Sequence, residues 1–325
     1  MYVFSGKDVF VEVQLSDFPV RQGEIFPSNL SFLPLIYLEN VSINVAKGVD
    51  IVWIVGRRNI GGVVPVSLPP ATINLNFPFI HNNQLYLFLT SFQRRPHKKF
   101  VHMRVVFSPD VFGREFVLEF QNGMTREISV NLPADRWGTA SLSILFPFTI
   151  LRFTHNLFTK PPSIYPFIPK GYQTTLQLYP ENSSRPLDWV SSGAVNSLRF
   201  TIHTDVNFDY TFPSLWSFFP KPNPYIPYNA PSSISEGRYY IDGNIVALLP
   251  GTWTLQGGEL QGGITGTMVD KWTMVLTMLD DNQQERIVWY LYDWTPKNIN
   301  FSVSPNEGVR FSSDFIALNF DVEIP

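Results

Sequence analysis

The residues able to do chemistry are few, and they are scattered. Five histidines, His81, His97, His102, His155 and His203, stand apart, and none forms an H-x-H or H-E-x-x-H pair that would bring two imidazoles to one metal. Closest to a ligand pair is His203 with Asp205 in "HTD", where strand spacing sets both side chains on one face. A single such pair at a strand end is more simply a surface hydrogen bond, so neither a metal nor a cofactor is expected. Carboxylates come next, because sugar cleavage on a β-sandwich needs two of them roughly 5 to 9.5 Å apart across a cleft. Glu115 and Glu119 alternate onto one strand face near Glu127, and Asp280, Asp281 and Glu285 crowd one turn. Their ordinary work is to solvate hairpins. The chain has no cysteine, which removes thiolate metal sites, disulfides and cysteine nucleophiles together. G-x-x-x-x-G-K-[ST] and G-x-S-x-G are absent as well. No catalytic residue is assigned, and the expectation is a protein that is not an enzyme.

Two segments suit binding better than catalysis. "RRPHKK" (94–99) gathers Arg94, Arg95, Lys98 and Lys99. It is short and lacks the interleaved aromatics of a nucleic-acid patch, so it suits a solvated loop, an acidic partner or anionic lipid head groups. With a net charge of -3 the chain has no field to hold nucleic acid, and sequence-specific binding to it is not expected. The second segment is a long loop at 212–235 that opens "FPSLWSFFPKPNPYIPYNAPSS". Its prolines remove the backbone donors of an interior strand. Trp216, Phe218, Phe219, Tyr225 and Tyr228 make it too aromatic for a disordered linker, so it reads as an ordered excursion from the second domain, lying against a neighbour or rising as a tower. The aromatics of the chain are also the material of a glycan-stacking platform, though sandwich cores and subunit interfaces use the same residues.

The elements that must position these residues are strands. Period-two alternation runs through 8–15, 49–55, 84–89, 100–107, 115–120, 126–132, 174–179, 197–204, 272–279, 286–292 and 315–324. Turns are expected at Lys47-Gly48, Asn122-Gly123, Asp242-Gly243 and Asp280-Asp281-Asn282. About sixteen strands and two short helix candidates, 108–113 and 186–195, place the chain in the all-β class.

At 325 residues the chain exceeds the ~250 to 300 at which one core usually stops growing. A weak echo divides it. A hairpin around Asn122 followed by "DRWGT" matches a hairpin around Asp281 followed by "DWT", at offsets of 159 (Asn122 to Asp281) and 157 (Trp137 to Trp294). The expected organisation is an N-terminal barrel at 1–156, a Pro-rich linker at 157–172 and a C-terminal barrel at 173–325. The aromatics Phe158, Tyr165 and Phe167 predict a packed linker, since a loose tether would be Gly/Ser-rich.

Charge is scarce: 16% of residues against a typical ~25%, with none between Asn59 and Gln93. That stretch is too interrupted by Pro, Asn and Gln for a bilayer helix. A surface so poor in charge is one expected to be covered by neighbouring subunits. Lys7 and Asp8 break the apolar run a signal peptide needs, so no cleaved export signal is expected.

Tandem cysteine-free β-domains, the "DRWGT" and "DWT" echoes, the central "KPPSIYPFIPKG" and the loop at 212–233 together resemble the double jelly-roll major capsid proteins of tailless icosahedral DNA viruses. The resemblance implies two eight-stranded jelly-roll barrels side by side. It implies homotrimeric, pseudo-hexagonal capsomers that meet one another and other virion proteins, often over an internal lipid membrane. The location it implies is the virion, after synthesis in the host cytoplasm. A phage tail or spike protein recognising host glycans, and a carbohydrate-active β-sandwich enzyme, are the alternatives.

Overall fold

The computed structural model describes residues 9–17, 32–35, 38–45, 48–53, 60–67, 71–78, 100–107, 115–154, 170–180, 194–209, 233–249, 272–304 and 308–323. The alternating runs in these segments become strands because β-branched and aromatic residues pack well on a pleated, half-buried surface. In β9 (Thr139–Phe146) the pattern is regular, with Ala140, Leu142, Ile144 and Phe146 turned into the core and the residues between them half-buried. Among the described residues there is no α-helix, only a 3-10 turn at Gly171–Gln173, and no helix long and apolar enough to cross a membrane. The all-β class therefore holds. Of the helix candidates, 108–113 lies outside the described residues, and the described end of 186–195, Ala194 and Val195, opens a strand.

Seventeen strands are described, and all their pairings are antiparallel. Fifteen join in one hydrogen-bonded system; among the described residues β4 (Gly48–Trp53) and β5 (Ile60–Ser67) pair only with each other. Two long bent hairpins organise the rest. In the first, β8 (Glu115–Pro133) runs beside β9 and β10 (Phe148–Thr154), which are one path broken at Pro147. In the second, β15 (Glu285–Ser304) runs beside β16 (Gly308–Ala317) and β17 (Asn319–Glu323), broken at Leu318.

These hairpins are the same object repeated 171 positions apart. Met124↔Leu145 in one is Thr295↔Ile316 in the other, and Gln121↔Phe148 is Tyr292↔Asn319. The bulge between Thr125 and Glu127 recurs between Pro296 and Asn298. The left-handed residue at the bend, Asn122 with φ 56°, recurs as Asp293 with φ 52°. The neighbours repeat as well. β7 (Phe100–Phe107) lies on β8 as β14 (Trp272–Leu279) lies on β15, with Val101↔Gly123 matching Trp272↔Trp294 and the same irregularity one residue on. β1 (Val9–Ser16) on β7 corresponds to β11 (Thr174–Pro180) on β14. β6 (Ala71–Pro78) on β9 corresponds to β13 (Ser233–Leu249) on β16, and β3 (Asn40–Val45) on β6 corresponds to β12 (Ala194–Asp209) on β13. The two-residue β2 (Leu33–Pro34) adds to β1.

Two expected turns are strand interior. Asn122-Gly123, a strong hairpin signal, sits in the middle of β8 and bends it, so residues 115–120 and 126–132 belong to one strand. Glycine is needed at 123 because an added Cβ would stand 2.2 Å from the buried Phe146 ring. In the second hairpin the equivalent position is Trp294, and Ala317 stands where Phe146 does, so bulk has changed sides at the bend while both pairs stay buried. Asp242-Gly243 is likewise inside β13, where a Cβ at Gly243 would meet the Arg199 carbonyl oxygen and the Phe315 ring, each at 2.5 Å. Asp280-Asp281-Asn282 is a turn, joining β14 to β15. Gly48 opens β4, and Lys47 lies outside the described residues.

Candidate assembly interface

The two strand sets meet by strand addition. β12, from the second set, pairs antiparallel with the second half of β8, from Ser197↔Pro133 to His203↔Glu127. Alternation decides what each face of this junction does. Leu198, Phe200 and Ile202 face the core opposite Leu132, Val130 and Ile128, and all six are fully buried. The Phe200 ring meets Trp289 edge-to-face with centroids 4.9 Å apart, tying the junction to the core of the second set. On the other face Ser129 Oγ and Thr201 Oγ1 are 2.9 Å apart and share a hydrogen bond across the strands.

His203 closes the polar face. Its Nε2 lies 3.2 Å from Asp242 Oδ1 and its Nδ1 3.7 Å from Glu127 Oε2, and its ring stacks on Tyr240 at 4.7 Å. Asp205, the expected partner in "HTD", is exposed beside a register shift between Thr204 and Val206 and lies against Gly237 instead. Among the described residues no group of three His, Asp or Glu could hold a metal ion.

The other described histidine is structural. His102 is completely buried at the β8 bend, where its Nδ1 accepts the Asn122 backbone N–H at 3.3 Å and its Nε2 lies 2.6 Å from Ser16 Oγ. Burial pushes its pKa down to about 4, so the ring is neutral near pH 7. Beside it Glu119, also buried, takes the Arg104 guanidinium at 3.2 Å, and that guanidinium lies over the Phe32 ring at 4.0 Å.

The carboxylates considered for sugar chemistry are therefore separated by the bend. Glu119 is buried in the first half of β8, and Glu127 stands at His203 in the second half. The Glu115 side chain lies outside the described residues. Asp280 organises its turn: Oδ1 accepts the N–H groups of Asn282 and Gln284, and Oδ2 takes Arg286 at 2.7 Å. The Gln284 backbone bond, with help from Arg286 and Asn282, holds its carboxyl below the usual range. Asp281 accepts the Gln173 side-chain amide at 2.6 Å.

Arg94, Arg95, Lys98, Lys99, Trp216, Phe218, Phe219, Tyr225 and Tyr228 all lie outside the described residues, as do His81, His97, His155 and the segment 157–169 of the linker. Sequence reasoning passed over a different exposed cluster. Trp137 bridges to Lys170 just before the 3-10 turn, and the Lys170 ammonium donates to the Tyr172 hydroxyl at 2.9 Å. Trp137 is 58% and Tyr172 55% exposed. The signal available was "DRWGT" itself, a turn too polar to bury its tryptophan.

No protein-family model matches this chain, and no curated protein sequence does. Solved structures do. The chain is similar to one in the cryo-EM structure of the anti-feeding prophage (AFP) baseplate, 6-fold symmetrised, with a TM-score of 0.29 and 9% identity over 51% of this chain and 97% of that one. It is similar also to the SPP1 tail tube, with a TM-score of 0.25 and 10% identity over 48% of this chain and 78% of that one. Likenesses this distant assign no function to the chain, whose role has to be argued from its own residues.

Proposed function

We propose that this chain is a self-assembling structural protein of a virus particle, without enzymatic activity. The observation that carries the reading is the junction of β8 with β12, where two like strand sets are already joined side by side by backbone pairing and an apolar seam. A chain built as two copies of one unit, with charge reduced to 16%, has the construction of an assembly subunit. In its finer form the proposal divides the chain into two barrels at the Pro-rich linker 157–172. It makes the protein a major capsid protein of an icosahedral shell, whose three copies supply six units to a pseudo-hexagonal capsomer. Other virion proteins, and an internal lipid membrane where one is present, are then its partners.

Light scattering after size exclusion, with electron microscopy of the same fractions, tests the reading. Trimers, rings or shells are expected, and a monomer at every concentration overturns it.

A second reading is a tail or spike component that binds host glycans. Trp137 and Tyr172, exposed on neighbouring turns with Lys170 between them, favour it because flat rings beside hydrogen-bond donors suit a sugar face. A rise in melting temperature with added oligosaccharide, abolished by Trp137→Ala, would decide for it.

A further inference from the structure

The internal junction has a second, open copy. If β8 corresponds to β15 and β3 to β12, no described strand takes on β15 the place that β12 has on β8, and none takes on β3 the place that β8 has on β12. Among the described residues the 298–304 half of β15 pairs with β16 alone, and β3 pairs with β6 alone. In each case the open side is the one used at the junction.

Exposure follows the same logic. Val130 and Leu132 are fully buried under β12, while their equivalents Phe301 and Val303 are 38% and 73% exposed. Ile202 is fully buried against β8, and its equivalent Val45 is 50% exposed. Apolar residues are thus kept at the very positions that the internal junction covers. Strand edges normally carry lysine, proline or a protecting bulge to prevent addition. "NVSINV" (40–45) and "NINFSVS" (298–304) carry no charge and no proline.

We infer that copies of this chain join head to tail, β3 of one molecule adding to the 298–304 half of β15 of the next in the register of the internal junction. This rests on the reading of a self-assembling protein and names its contact. Carrying Leu198↔Leu132, Phe200↔Val130 and Thr201↔Ser129 across gives Val41↔Val303, Ile43↔Phe301 and Asn44↔Asn300. The contact is heterologous, so it repeats from copy to copy and ends only in a closed ring or a filament. Among the described residues these two edges do not pair with each other within one chain.

The absence of cysteine makes the test clean. Asn44 and Asn300, both exposed, occupy the places of Thr201 and Ser129, whose side-chain oxygens are 2.9 Å apart. Cysteines there would lie within disulfide reach. The double variant Asn44→Cys/Asn300→Cys, oxidised mildly, is expected to run at two and more times the chain mass without reductant and as one band with it. Mixing the single variants should give the linked pair, and neither alone should. Asn44→Cys/Ser302→Cys, a diagonal pair roughly 7–8 Å apart, should link poorly. Ser129→Cys/Thr201→Cys should lose its thiols with no change in mass. Oligomers that fail to link through Asn44→Cys/Asn300→Cys overturn this contact and leave the assembly reading standing. A monomer that fails to link overturns both, and a link formed within one chain overturns the contact.

Discussion

Acidification should weaken this protein through His102 in a way its geometry fixes in advance. The ring is fully buried and held neutral, accepting the Asn122 N–H at the β8 bend. Its pKa is about 4 when folded against 6.5 for the free side chain. In this depressed-histidine case the unfolded chain takes the proton first. Stability is complete above pH 6.5, falls as pH drops through that value and stops falling near the folded pKa. Linkage then gives a loss of about 1 kcal/mol near pH 5.5 and about 2 to 3 kcal/mol near pH 4.5. Urea unfolding of the dilute chain, followed by tryptophan fluorescence across this range, would measure it. Carboxylates also titrate near the lower end, so the decisive quantity is the difference from His102→Gln, whose amide can accept from Asn122 and donate to Ser16 without ionising. The variant should lose about 2 to 3 kcal/mol less than the native chain between about pH 7.5 and 4.5. Parallel pH profiles for the two proteins would refute the buried neutral ring.

Three further outcomes rest on packing and turn chemistry. Gly243→Ala forces a methyl against the Arg199 carbonyl and the Phe315 ring and should cost about 1–3 kcal/mol by overpacking, read as a lower urea midpoint at unchanged slope. Leu132→Ala, at the internal junction, should cost about 2–5 kcal/mol, whereas Val303→Ala at the equivalent open position should cost less than about 0.5 kcal/mol in the dilute chain and weaken association instead. Asp280→Asn should lower the melting temperature less than Asp280→Ala, because the amide keeps an acceptor for the Asn282 and Gln284 N–H groups while losing the Arg286 charge pair.

Much of the strand content was legible because alternation is a local signal. β1, β7, β11 and β14 fall where the period-two runs put them. The failures were long-range. Asn122-Gly123 has the composition of a tight turn, and its backbone is left-handed at Asn122, but the residues on either side pair with different neighbours: β7 and β10 before it, β9 and β12 after. A bend between partners and a reversal of direction ask for the same dipeptide. The repeat was misaligned for a related reason. Trp137 and Trp294 invite superposition, yet one is an exposed turn residue and the other is fully buried in β15. The true equivalents, such as Gly123 and Trp294 or Pro147 and Leu318, share no chemistry, only register. His203 shows the same limit at side-chain level, since its carboxylate partners come from β8 and β13 and not from the neighbouring Asp205.

The duplication explains a feature that composition alone left as a puzzle. A chain this poor in charge runs a hazard if it stays alone, because uncharged strand edges add indiscriminately. Here one edge of each kind is consumed inside the molecule: β12 covers β8 and β8 covers β12. Among the described residues the open counterparts of that junction are a donor-and-acceptor row on β3 and its complement on β15, each built from Asn, Ser and apolar residues in alternation. Replacing Asn44 or Asn300 with lysine would protect these edges at little expense to the fold, because both side chains are exposed. The chain instead carries at both sites the short amide that tolerates a partner strand, which is what a surface shaped for its own copy requires and a surface shaped for solvent does not.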